Sequence, residues 1–211
     1  MAIGEIGKID FPNRFLNRGI TGQVFKRSGG SRRPTTSSFE TETSANSPGT
    51  AATSGGAGES WSSVNNIKAS DDNDSSAELG ATSDSEFLEA TNFNFTIPEN
   101  STILGIIVKV EREAEFGSSI KDQTVNIIKG GSNGSENKSR ETEDGFWPIT
   151  DTIITYGDST DLWSEAWTTE DINASNFGVA FKAQNTTGIG NREARVDHIT
   201  IKIHYRINTI T

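Results

Sequence analysis

Within the stretch ARVDHITIKIHYRI, Ala194 to Ile207, the residues from Ile199 on alternate strictly. Ile199, Ile201, Ile203, Tyr205 and Ile207 fall on one side of an extended chain, and Thr200, Lys202, His204 and Arg206 on the other. A period of two fits a half-buried β-strand; wound into a helix, the same residues would scatter their apolar groups around every side. The pattern recurs. NFNFTIP sets Phe93, Phe95 and Ile97 against Asn92, Asn94 and Thr96. TILGIIVKVEREA aligns Leu104, Ile106, Val108 and Val110, with Lys109, Glu111 and Glu113 opposite. SNFGVAFKA aligns Phe177, Val179 and Phe181, and DQTVNIIK more weakly aligns Val125 and Ile127. Alternation of this kind marks antiparallel sheets with one face on a core.

Turn-forming clusters separate these runs: IPENST at 97–102, KGGSNGS at 129–135, YGDST at 156–160 and NTTGIGN at 185–191. Many short strands between such turns predict an all-β fold, a single antiparallel β-sandwich of jelly-roll-like type. One short helix is expected in TTEDINAS, with Thr168 as N-cap and acidic residues in its first turn. The long polar run from about 130 to 151 reads as a loop.

Residues 1–58 show no sustained period. Apolar residues are scattered among Gly, Pro, Ser and Thr, and from Thr35 to Ser60 the composition is that of a flexible linker. The expected organisation is an extended N-terminal arm and linker over 1–58 and the β-sandwich domain over 59–211.

Charge divides the chain within the arm, at Thr36. Through Thr36 there are seven basic residues and two acidic ones, a balance of +5; the whole chain carries −10, so residues 37–211 carry −15. A body so acidic lacks the basic footprint that nucleic acid requires, and the arm lacks the interleaved aromatics of single-strand binders, so nucleic acid is not an expected partner. No run approaches the roughly 18 apolar residues of a membrane helix, no secretory leader is visible, and no membrane association is expected. With no cysteine, disulfides and thiolate metal sites are excluded.

Candidate chemistry is sparse. SDDNDSS, Ser70–Ser76, fails as a calcium loop, because Ala77 stands where the turn needs glycine and Ser83 where a glutamate should chelate. His198 and His204 lie on one side of one strand about 20 Å apart, too far to share a metal. No serine can be assigned to His198 from sequence. Glu111 and Glu113 read as a solvated sheet face, and the glycine clusters as turns. No catalytic residue, cofactor or metal site is expected. Trp147 and Trp163 are candidate sugar platforms, set against a reading in which Trp163 and Trp167 plug one end of the core.

Four pieces in order carry a resemblance: ESWSSVNNIKASDDNDSSAEL, then SEFLEATNFNFTIPENSTILGIIVKVERE, then ITYGDSTDLWSEAWTTEDINASNFGVAFKA, and finally ARVDHITIKIHY. Together, over about residues 59–206, they resemble β-sandwich structural proteins in the virions of tailed bacteriophages. The resemblance implies a non-enzymatic role in the particle, as a capsid cement or decoration protein on the shell exterior. A tail, neck or fibre component is the alternative, and a carbohydrate-binding attachment module a further one. The implied partner is the major capsid protein or another virion protein, with a homo-oligomer expected. The arm lies outside the resemblance. Its own residues suggest a clasp, with Phe11, Phe15, Leu16 and Phe25 as apolar anchors and Arg14, Arg18, Lys26, Arg27, Arg32 and Arg33 pairing with carboxylates on a partner.

Overall fold

The computed structural model describes residues 36–140 and 145–210. Ten strands follow in chain order: β1 Thr36–Glu42, β2 Thr50–Ser54, β3 Ser75–Leu79, β4 Phe87–Thr91, β5 Ser101–Ala114, β6 Ile120–Lys129, β7 Ser132–Asn133, β8 Thr152–Tyr156, β9 Gly178–Asn185 and β10 Arg192–Ile210. They form two antiparallel sheets. In the first, β10 pairs with β5, β5 with β8, and both β3 and β1 run along the other side of β10. The second runs β2-β4-β9-β6-β7. Without β1 and β2, the sheet orders β3-β10-β5-β8 and β4-β9-β6-β7 are those of a jelly roll.

The alternating faces meet between the sheets. Ile106, Val108 and Val110 of β5 and Ile199, Ile201 and Ile203 of β10 are buried against Val125 and Ile127 of β6 and Val179 and Phe181 of β9. Each such side chain contributes about 1.5–3 kcal/mol by leaving water. The α-helix among the described residues, α1 Thr169–Asn173, begins as expected: the Thr168 hydroxyl accepts from Asp171 N at 3.1 Å, and the Asp171 carboxylate accepts from Thr168 N at 3.0 Å.

Three expectations need correction. The linker reading of residues 35–60 overlooked β1 and β2, which lie ahead of residue 59 and take part in both sheets. These strands are rich in Ser and Thr and bury few apolar groups. Their hold is the backbone ladder, reinforced in β1 by Glu40 to Arg206 at 2.6 Å and Glu42 to Lys202 at 2.8 Å. NFNFTIP buries Phe93, Phe95 and Ile97 as the alternation demands, but it is not a strand. Asn92 and Asn94 adopt left-handed conformations (φ 60° and 54°), and side chains replace the ladder: Asn46 Nδ2 donates to Phe93 O, and Asn173 donates to Ile97 O and accepts from Ile97 N. In β5, Ile103 rather than Leu104 faces the core. Tyr205 pairs with Ile103 and His204 with Gly105, so Leu104 is the extra residue of a β-bulge and the parity flips there.

Candidate functional site

The inward face of β5 continues past Val110 to Arg112, which is buried. Its counter-ion is Asp122 on β6, 1% exposed, the two forming an ion pair across the sandwich. Two carboxylate oxygens then collect further donors. Trp147 Nε1 donates to Oδ1 at 2.9 Å, and the Tyr156 hydroxyl and Arg140 N donate to Oδ2, each at 2.9 Å. The Arg112 guanidinium lies 4.7 Å from the centre of the Trp147 ring. A charge placed between two sheets is tolerated only with this degree of pairing. The cluster ties β5, β6, β8 and the segment before β8 together where the sandwich opens.

Above it lies a polar cleft of about 330 Å³, lined by Asn137–Arg140, Thr155–Asp158 and Asp161. Its charged groups are already engaged. Lys138 Nζ meets Glu136 at 2.7 Å and Asp161 at 2.8 Å and stands 5.2 Å over the Trp163 ring. Burial works against the Lys138 ammonium, but its two carboxylate partners outweigh it and raise its pKa. Asp158 accepts from Thr160 N at 2.7 Å and Thr160 Oγ1 at 2.8 Å. The arrangement binds strands to one another.

A serine does stand beside a histidine elsewhere. Ser47 Oγ lies 2.8 Å from His198 Nε2, on the outer face of the first sheet. The sequence offered no cue to it, because the two residues are 151 apart. Burial lowers the His198 pKa, which favours the neutral imidazole. Yet the residue after Ser47 is Pro48, which has no N–H to stabilise an oxyanion, and no carboxylate hydrogen bond orients the ring among the described residues. The pair closes the link between β1 and β2 onto β10.

The outer face of the same sheet also gathers acid. Asp197, the bulged residue of β10, is buried and accepts from Asp71 N at 3.2 Å, which draws the 70–74 loop towards Glu111, Glu113 and Asp151. Arg195 neutralises part of this charge, meeting Glu113 at 3.0 Å and Glu193 at 2.6 Å. Burial, then the charges of Asp151, Glu113 and Asp197, push the Asp74 pKa up to about 6. Among the described residues, no three His, Asp or Glu side chains are arranged to hold a metal ion.

The raised value fixes a pH dependence. An Asp74 carboxyl that binds its proton more tightly when folded favours the fold below the ordinary carboxylate range, and that contribution is lost as pH rises through about 6. Asp74→Asn should therefore raise the urea midpoint at pH 8, by about 1 kcal/mol once solvent screening of this partly exposed group is allowed for. The gain should vanish near pH 3, where the carboxyl is protonated in both states; an equal gain at both pH values would mean that proton binding is not its origin.

The tryptophans are committed to the core. Trp147 is 2% and Trp163 0% exposed, so neither presents a ring face for a sugar. Trp163 Nε1 donates to Ile106 O at 3.0 Å, and Trp167 packs edge-on against Phe177 while its Nε1 donates to Leu162 O. The arm residues Phe11, Arg14, Phe15, Leu16, Arg18, Phe25, Lys26, Arg27, Arg32 and Arg33 all lie outside the described residues. No family model matches the chain, and neither a curated protein nor a solved structure matches it.

Proposed function

We propose that the protein is a non-enzymatic structural component of a tailed-phage particle. In this reading it is a capsid cement or decoration protein, fastened to the major capsid protein or another virion protein by the segment ahead of β1. The supporting observation is a division of labour within the chain. The buried polar groups of the sandwich are spent on tying strands together, as in the Arg112–Asp122 cluster. Basic and scattered apolar residues are concentrated in the sequence ahead of an edge strand, in a segment whose charge is opposite to that of the body. Docking Phe11, Phe15, Leu16 and Phe25 offsets the entropy of ordering such a segment, and arginine suits the carboxylates of a partner. A protein that binds only assembled shells stabilises them by mass action.

Quantitative mass spectrometry of purified particles tests the assignment. A decoration role predicts a fixed stoichiometry with the main shell subunit, of order one per subunit or per local symmetry axis. A copy number far below that would move the protein to the tail, neck or fibre. Its absence from particles would sink the virion reading altogether.

A further inference from the structure

β1 is an edge strand without the usual protection. Its ladder to β10 runs over Thr36–Glu42 with no bulge, and the strand holds no proline and no lysine. Its two charges do not guard the edge, because Glu40 and Glu42 are drawn onto β10 by Arg206 at 2.6 Å and Lys202 at 2.8 Å. Phe39, in the middle of the strand, is 56% exposed. Among the described residues no strand pairs with the other side of β1. The ladder fixes which backbone groups face that side. Thr43 N donates to Ile203 O at 2.9 Å, so these two form a hydrogen-bonded pair. Such pairs alternate in an antiparallel ladder. Thr41, Phe39 and Ser37 therefore bond to β10, and the N–H and C=O groups of Ser38, Glu40 and Glu42 point away from it. Among the described residues none hydrogen-bonds those outward groups.

We propose that β1 pairs antiparallel with β1 of a second copy of this chain, about a two-fold axis at Phe39. Outward backbone groups must meet outward groups, so the axis has to fall on a residue rather than between two. An axis at Glu40 would set that carboxylate directly against its own copy, which is unfavourable. An axis at Ser38 would shorten the overlap to residues 36–40. An axis at Phe39 aligns all seven residues of the strand. Phe39 then faces Phe39, Ser38 faces Glu40, and Ser37 faces Thr41. The two phenyl rings share a non-hydrogen-bonded position, where opposed side chains come closest.

Like charges are not opposed anywhere in this register, and the exposed phenylalanine is covered by its own copy. A strand that complements its own reversed sequence suits an isologous interface. The first sheet then continues from one copy into the other, and both open edges disappear in a closed dimer. This gives the expected homo-oligomer a definite interface, and it does not rest on the virion role.

Sedimentation of the full-length chain at rising concentration should show a monomer–dimer equilibrium. Ser38→Pro removes an outward N–H and leaves the β1–β10 hydrogen bonds in place, because Ser38 N takes no part in that ladder. It should weaken the dimer at least ~10-fold, since the donor is lost twice by symmetry, while the near-ultraviolet signature of the buried tryptophans stays unchanged. The absence of native cysteine allows the register to be read directly. Under mild oxidation, Phe39→Cys should cross-link to its own copy at least ~10-fold faster than Ser37→Cys, whose copies lie about 13 Å apart in this register. A mixture of Ser37→Cys and Thr41→Cys chains should react at the faster rate. A full-length chain that stays monomeric at the highest attainable concentration would overturn the proposal. So would an undiminished dimer in Ser38→Pro, or equal cross-linking rates for Phe39→Cys and Ser37→Cys. Shell binding plays no part in these readouts, so the pairing and the virion role can fail separately.

Discussion

Asp122→Ala should lower the unfolding free energy by about 3–5 kcal/mol, the cost of breaking a buried ion pair from one side. The carboxylate is 1% exposed, and it serves the Arg112 guanidinium, the Trp147 indole, the Tyr156 hydroxyl and the Arg140 amide at once. Removing it takes the acceptor from two buried aromatic donors and the counter-charge from beside a buried guanidinium. Asp122→Asn keeps an acceptor and should cost less. The paired replacement Arg112→Met with Asp122→Leu should recover much of the loss, because burial of apolar groups of similar size does not demand a partner. Denaturant melts of the four chains measure all of this; a loss below about 1 kcal/mol for Asp122→Ala would mean that the cluster does not hold the sandwich closed.

How much of this cluster the sequence announces depends on the strand. Arg112 shares the parity of Val108 and Val110, so its inward position could be read from the alternation. Asp122 could not be placed in the same way. A register shift between Asp122 and Thr124 breaks the parity with Val125 and Ile127, and a bulge leaves no mark in one sequence. The sandwich itself was legible wherever alternation is uninterrupted, as in Phe177–Phe181 and Ile199–Ile203. It failed for β1 and β2, because edge strands held by ladder hydrogen bonds need no apolar face. It failed in the opposite sense at 92–98, where two left-handed asparagines turn an alternating run away from the ladder. The contact between Ser47 and His198 depends on chain closure over 151 residues, which local pattern cannot report.

In the proposed function, attachment belongs to the segment ahead of β1 and the sandwich stands without it. β1 is held to the sheet by described residues: its ladder to β10 runs from Thr36 to Glu42, and Glu40–Arg206 and Glu42–Lys202 reinforce it. A chain lacking residues 1–35 should keep the tertiary signature of its buried tryptophans. It should lose shell binding by at least ~100-fold, the equivalent of removing two anchors of about 1.5 kcal/mol each. The most direct measurement is co-sedimentation of the full and shortened chains with shells stripped of the protein, at matched concentration. The expected result is saturation by the full chain and almost no binding by the folded, shortened one. Full occupancy by the shortened chain would place the attachment on the sandwich and contradict the proposal.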